Sequence, residues 1–170
     1  TPLAQLNQDA KIWILETSSF TLHYTTYAAP NIYVLLPLSA DHLSWHGSMQ
    51  GYVADKLKPI KFLSSADYVI LPKKYENYIE TKATTFLYET TQDIENLFEI
   101  DSSKVKFKGA FLLDALLAMA VDKIMFNRIQ YDKINLFEID PHRQEEILDL
   151  KQRLWVNDTK ATNLDATIEC

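Results

Sequence analysis

A chain of 170 residues, 47% hydrophobic and 24% charged, is the size of one globular domain and buries roughly two thirds of its unfolded surface. Its three glycines, Gly47, Gly51 and Gly109, form no phosphate loop, dinucleotide fingerprint or nucleophile elbow, which argues against nucleotide-dependent chemistry by those routes. The net charge of −6 sits in the second half: residues 1–85 carry seven Lys and seven acids, residues 86–170 ten Lys or Arg and sixteen acids, so a phosphate-neutralising face for nucleic acid is not expected and a basic protein partner is.

The first third reads as strands. Lys11 to Glu16, Phe20 to Thr26 and Asn31 to Leu36 are rich in β-branched and aromatic residues and are separated by short breaks, the spacing of an antiparallel meander. In the second segment Phe20, Leu22 and Tyr24 alternate with Thr21, His23 and Thr25, as in a strand with one wet face. Ser39 to Gln50 reads as a short helix ended by Gly51. Asp67 to Leu71 is a further strand stopped by Pro72, residues 73–82 suit a helix, and Thr85 to Tyr88 a strand.

Helix signals are clearer downstream. Thr90 is an N-cap candidate with Asp93 three residues on, followed by the apolar stripe Ile94, Leu97 and Phe98, a capping-box pattern. Residues 110–129, with Phe111, Leu112, Leu116, Met119, Ile124 and Met125, predict a helix apolar around most of its circumference and hence central. Ile134 to Ile139 reads as a strand or link, and Asp140-Pro141 as a helix start continuing to Trp155, with proline at the first helical position. The sextet NLFEID at 96–101 and 135–140 has unmatched flanks and is a coincidence rather than a repeat.

These elements predict an α+β fold: an antiparallel sheet of about four to six strands with two or three helices on one face. Residues 1–156 form the domain and 157–170 a polar, frayed tail. Cys170 is the only cysteine, so no intramolecular disulfide is possible and a reducing, cytoplasmic setting is expected. A chain beginning at Thr1 is a processed form, a trimmed form or an excerpt, and a removed signal peptide would leave no trace. The most apolar stretch, Ala110 to Phe126, contains Asp114, Asp122 and Lys123, which suits a buried helix better than a membrane span.

Three constellations could carry chemistry. His42 and His46 are four apart and would share a helix face, a metal-binding spacing, but Leu43 stands where a zinc protease has Glu. Asp67, Glu80 and Lys82 have the residue types of a metal-dependent nuclease or hydrolase, whose acids hold a cation while Lys polarises water. Glu89, Asp93, Glu95, Glu99 and Asp101 form an acidic run with no Lys or Arg between 83 and 103; the like-charge spacing of Glu95 and Glu99 is unfavourable on a helix and fits a face awaiting positive charge. The sequence reading is therefore a non-catalytic acidic protein of immunity, antitoxin or chaperone type that masks a basic partner, with the nuclease as alternative and no cofactor.

Overall fold

A computed structural model describes residues 7 and 9–161. In chain order these form α1 (Ser19–Tyr24), β1 (Ile32–Val34), α2 (Leu43–His46), α3 (Met49–Leu57), β2 (Tyr68–Pro72), β3 (Thr84–Tyr88), α4 (Thr91–Phe98), α5 (Gly109–Phe126), α6 (Tyr131–Ile134), β4 (Glu145–Leu148) and β5 (Leu154–Asn157). Single 3₁₀ turns follow α3 (Lys58–Phe62), β2 (Lys73–Tyr78) and α4 (Ser102–Lys104).

β2 is the middle strand of a three-stranded parallel sheet, with Ile32 and Thr84 both in register with Tyr68. Val69, Ile70 and Leu71 are fully buried, because a parallel strand between crossovers is covered on both faces. Ile70 points into one apolar cluster with Ile94, Phe98, Leu116 and Met119, from α4 and α5. Its neighbours Val69 and Leu71 point the other way, into a cluster with Val53, Leu57 and Ile60 from α3 and the turn after it. The result is three layers, helix, sheet, helix.

The expected antiparallel sheet of four to six strands is thus corrected to three parallel strands plus a separate antiparallel pair, β4 with β5. Helices cover both faces rather than one. Phe20 to Thr26 is not a strand: α1 occupies it, because Ser18 caps the helix by accepting from the Thr21 N–H and a six-residue stretch satisfies periods of 2 and 3.6 alike. Lys11 to Glu16 carries no strand assignment. Residues 39–50 hold two helices; α2 stops at Gly47 at φ 76°, and Gly51 lies inside α3. The helix expected at 73–82 shortens to a 3₁₀ turn, and Asp140-Pro141 opens no helix but the approach to the β4–β5 hairpin. The Thr90–Asp93 capping box and the central α5 are as the sequence predicts. Of the expected tail, residues 162–170 lie outside the described residues, and Asn157 closes β5.

Asp67 locks the entry to β2. Buried, it accepts hydrogen bonds from the Ser64 N–H and hydroxyl at 2.8 and 2.7 Å and from the Asn31 side chain at 3.2 Å, so the strands β1 and β2 start in fixed register. The two bonds from Ser64 hold its carboxyl below the ordinary range, against the opposing effect of burial. Asp67→Ala leaves those donors unpaired and is expected to cost about 2–3 kcal/mol in a urea melt. A carboxyl depressed on folding stabilises above its unfolded pKa, and the gain disappears as pH falls through the folded value. The variant should therefore melt with less acid sensitivity than wild type below about pH 4.

Candidate functional site

Several polar side chains converge where α1, α2, α3 and the segment leading into α1 meet. Gly47 ends α2 in the left-handed conformation, and Ser48 caps α3 by accepting from the Gly51 N–H. This tight reversal turns His46 back toward Asp55, two turns along α3. His46 Nδ1 lies 2.9 Å from Asp55 Oδ2 and its Nε2 2.9 Å from Ser19 Oγ. Its side chain is fully buried and Asp55 is 17% exposed, while Phe20, Trp45 and Tyr52 pack rings against the imidazole. On the outer side His23 Nδ1 reaches the same carboxylate at 3.0 Å. A carboxylate only accepts, so both histidines donate from Nδ1.

Lys56 follows Asp55 on α3 and reaches the same segment from beside it. Its amine, half-buried, donates to the Thr17 carbonyl at 3.1 Å. Burial pulls the amine below the ordinary lysine range, and the neighbouring Glu16 carboxylate partly restores it. Tyr33, from β1, donates its hydroxyl to the Lys56 carbonyl, which fixes the end of α3 to the sheet. His42, at φ 52°, sets its ring 4.9 Å from that of Phe20 and tilted 53° to it, at the rim of the ring cluster around His46. The arrangement leaves the Lys56 amine and the exposed Glu16 beside buried hydroxyls that are already paired, Ser19 with His46 and Tyr33 with the Lys56 carbonyl.

The close packing extends to the backbone. A Cβ on Gly51 would stand 2.6 Å from the His46 carbonyl oxygen, nearer than van der Waals contact allows. Gly51→Ala is expected to destabilise by about 1–3 kcal/mol through forced backbone shift, although alanine is the better helix former; a urea midpoint shift toward wild-type values or above would contradict it.

The residues singled out from sequence are distributed differently. Both ring nitrogens of His46 are engaged inside the protein, and His42 Nδ1 lies 3.5 Å from Asp41, so the pair does not converge on a common point. Among the described residues no group of three or more His, Cys, Asp or Glu is placed to hold a metal ion. Asp67 is a buried structural carboxylate, whereas Glu80 and Lys82 are exposed in the connection to β3. Glu80 borders a depression of about 310 Å³ beside Val53, Leu57, Lys58 and Lys61, which Asp67 does not line. Each acid of the run has a partner nearby, although Glu89 and Glu99 stay largely exposed. Asp93 closes the capping box, Glu95 accepts from the Ser102 N–H, Asp101 caps the next turn, and Glu89 and Glu99 face Lys73 and Lys123. Sequence reading missed Ser19, His46, Asp55 and Lys56 as a unit because they come from three elements; the D-K pair on a helix that follows a Gly-Ser reversal was the available signal.

Three parallel strands covered by helices on both faces define an α/β domain, and the chain belongs to the Mur ligase family: residues 2–118 match the Mur ligase middle domain. Over 99% of its length it is 52% identical to the UDP-N-acetylmuramoylalanine--D-glutamate ligase of Campylobacter jejuni, strain 81-176. It is 37% identical to the ligase of that name from Helicobacter pylori, strain HPAG1, again over 99% of the chain, and 29% identical over 98% to that of Thermosipho melanesiensis. The chain spans about two fifths of those relatives, 42%, 43% and 40% of each. This overturns the immunity, antitoxin or chaperone expectation and the nuclease or hydrolase alternative together. The glycine census that argued against nucleotide chemistry covers only this segment of such a protein. No described helix is long and apolar enough to cross a membrane.

Proposed function

We propose that this chain is the middle part of a cytoplasmic ligase that joins D-glutamate to UDP-N-acetylmuramoylalanine. The 52% identity along 99% of the chain to a ligase of that name carries the reading. Such a reaction makes an amide between an alanine carboxyl and a glutamate amine. Ligases drive such bonds with a nucleoside triphosphate. The side chain of this segment placed to contribute is Lys56, whose half-buried amine is held at the Thr17 carbonyl. Lys56 is tethered before any substrate arrives, and preorganised polar groups are the largest common source of transition-state stabilisation.

The test is direct. The protein expressed from its complete reading frame, incubated with UDP-N-acetylmuramoylalanine, D-glutamate and a nucleoside triphosphate, is expected to yield the glutamyl product by mass spectrometry and to discriminate against L-glutamate. Turnover of another amino acid in place of D-glutamate would assign a different ligase activity, and no turnover with any would remove the reading.

A further inference from the structure

His42 starts α2 with its backbone left-handed, at φ 52°. The helices α1, α3, α4 and α5 start from extended backbone at Ser18, Ser48, Thr90 and Lys108, as helix starts ordinarily do. Glu99 and Asn127 are also left-handed, but they close α4 and α5, where that conformation is common. At a residue with a Cβ the left-handed region is strained. Such strain persists only where the surroundings over-determine it, and it gathers at functional sites. The His42 side chain is 51% exposed, so a ligand can reach its ring.

A four-residue helix does not hold such a residue by itself, because a lone turn is unstable in water. His46 supplies the hold. Its backbone N–H donates to the His42 carbonyl at 3.1 Å, while the Asp41 carboxylate accepts from the His42 N–H at 2.8 Å. The His46 side chain, fully buried, is fixed at both ring nitrogens, Nδ1 to Asp55 of α3 and Nε2 to Ser19 of α1. Phe20, beside Ser19, carries the His42 and His46 rings at 4.9 and 5.5 Å. The ionised Asp55 only accepts, so His46 has a proton on Nδ1; neutral, its Nε2 accepts from the Ser19 hydroxyl, and protonated it donates to the same oxygen. The fixture therefore holds in either state. Among the described residues no buried side-chain polar atom lacks a partner, the condition under which a buried polar network rigidifies its surroundings.

We propose that His46, Asp55 and Ser19 are positioning residues that hold His42 left-handed and so place its imidazole for the reaction; the inference rests on the ligase reading and adds residues to it. His46 and Ser19 are buried and touch no substrate. The three act through the backbone of His42, and a misplacement of about 1 Å at a reacting site can cost about 10²-fold in rate.

The experiment uses the complete protein and three variants, His46→Gln, Asp55→Asn and Ser19→Ala. Expected are kcat losses of about 10²-fold for the first two and about tenfold for Ser19→Ala, with KM for both substrates changed less than about threefold. A second arm uses His42→Gly, which loses the ring and accepts the left-handed backbone without strain. It should itself lose about 10²-fold, and adding His46→Gln to it should cost less than about threefold more. A third readout is crystallographic: the φ of His42 should turn negative in His46→Gln. An active wild type overturns the inference, and leaves the ligase reading intact, under any of three results. These are variants that keep kcat within about threefold, losses that multiply in the His42→Gly background, and a His42 φ that stays positive in His46→Gln. Wild type without ligase activity removes that reading instead, and the φ of His42 still decides whether His46 holds it. Should His46→Gln and Asp55→Asn fail to fold, Ser19→Ala, which removes one hydroxyl, decides alone by kcat and φ; if it too unfolds, the three residues belong to the fold and the positioning role is overturned.

Discussion

Leu116→Asp leaves no folded protein. Leu116 is fully buried in the middle of α5, packed in the cluster that Ile70, Ile94 and Phe98 share across the sheet. The substitution removes a side chain whose loss alone costs about 2–5 kcal/mol and puts a carboxyl among buried apolar side chains. Burying even a neutral polar group without a partner adds several kcal/mol. The sum reaches the whole stability of an ordinary domain, about 5–15 kcal/mol. Expression in the insoluble fraction, or a far-UV spectrum without cooperative melting, is the expected result. A soluble variant with a single melting transition would move the centre of the core away from α5.

The long helix was legible because its signal is redundant. Eighteen residues, Gly109–Phe126, hold about five turns, and apolar residues on nearly every face leave burial as the only stable outcome. The capping box was legible for a different reason: Asp93 and Thr90 are three residues apart, and their reciprocal hydrogen bonds form at that spacing wherever the helix sits. The three strands of the sheet could be found but not ordered. A run such as Tyr68 to Leu71 with no polar alternation already favours a strand covered on both faces, and hence a parallel sheet; the polar–apolar alternation of Phe20 to Thr25 outweighed it and was misleading, since Ser18 caps a helix there. At Asp140-Pro141 the helix-start signal met a segment without helical packing, and residues 145–148 and 154–157 paired instead.

The candidate site resisted sequence reading on physical grounds. Ser19 and His46 are 27 residues apart, and Asp55 nine further on; only the α2–α3 reversal makes them neighbours. The acidic run is the opposite case. Its charges are adjacent in sequence and read as one surface, yet in the fold Asp93, Glu95 and Asp101 serve a cap or a turn while Glu89 and Glu99 stay largely exposed beside lysines. Local charge density is a poor guide to function where helix ends are dense, because a carboxylate at a helix start is stabilising in its own right.

Lys56→Met separates activity from stability. Methionine retains most of the aliphatic stem and packs in its place, so most of the side-chain burial survives, and the Tyr33 bond to the residue 56 carbonyl is untouched. The fold loses one hydrogen bond to the Thr17 carbonyl, worth about 1 kcal/mol. Against that stands the cost of the cation itself. Burial lowers the Lys56 pKa, which means that the charged form is less stable in the folded state than in the unfolded one. Stability then rises with pH across the interval from the folded to the unfolded pKa, because the unfolded chain binds more protons there. At neutral pH the wild type bears this penalty in full and the variant bears none. The two effects oppose, and Lys56→Met is expected to melt within a few degrees of wild type, with a flatter stability profile at alkaline pH. Its ligase activity is expected to fall by at least about 10²-fold, the usual consequence of removing one preorganised donor from a reacting site. Thermal melts at neutral and alkaline pH, read beside steady-state kinetics of the complete protein, check both halves. Activity within about tenfold of wild type would take Lys56 out of the site, and a collapse in melting temperature would make it a structural lysine.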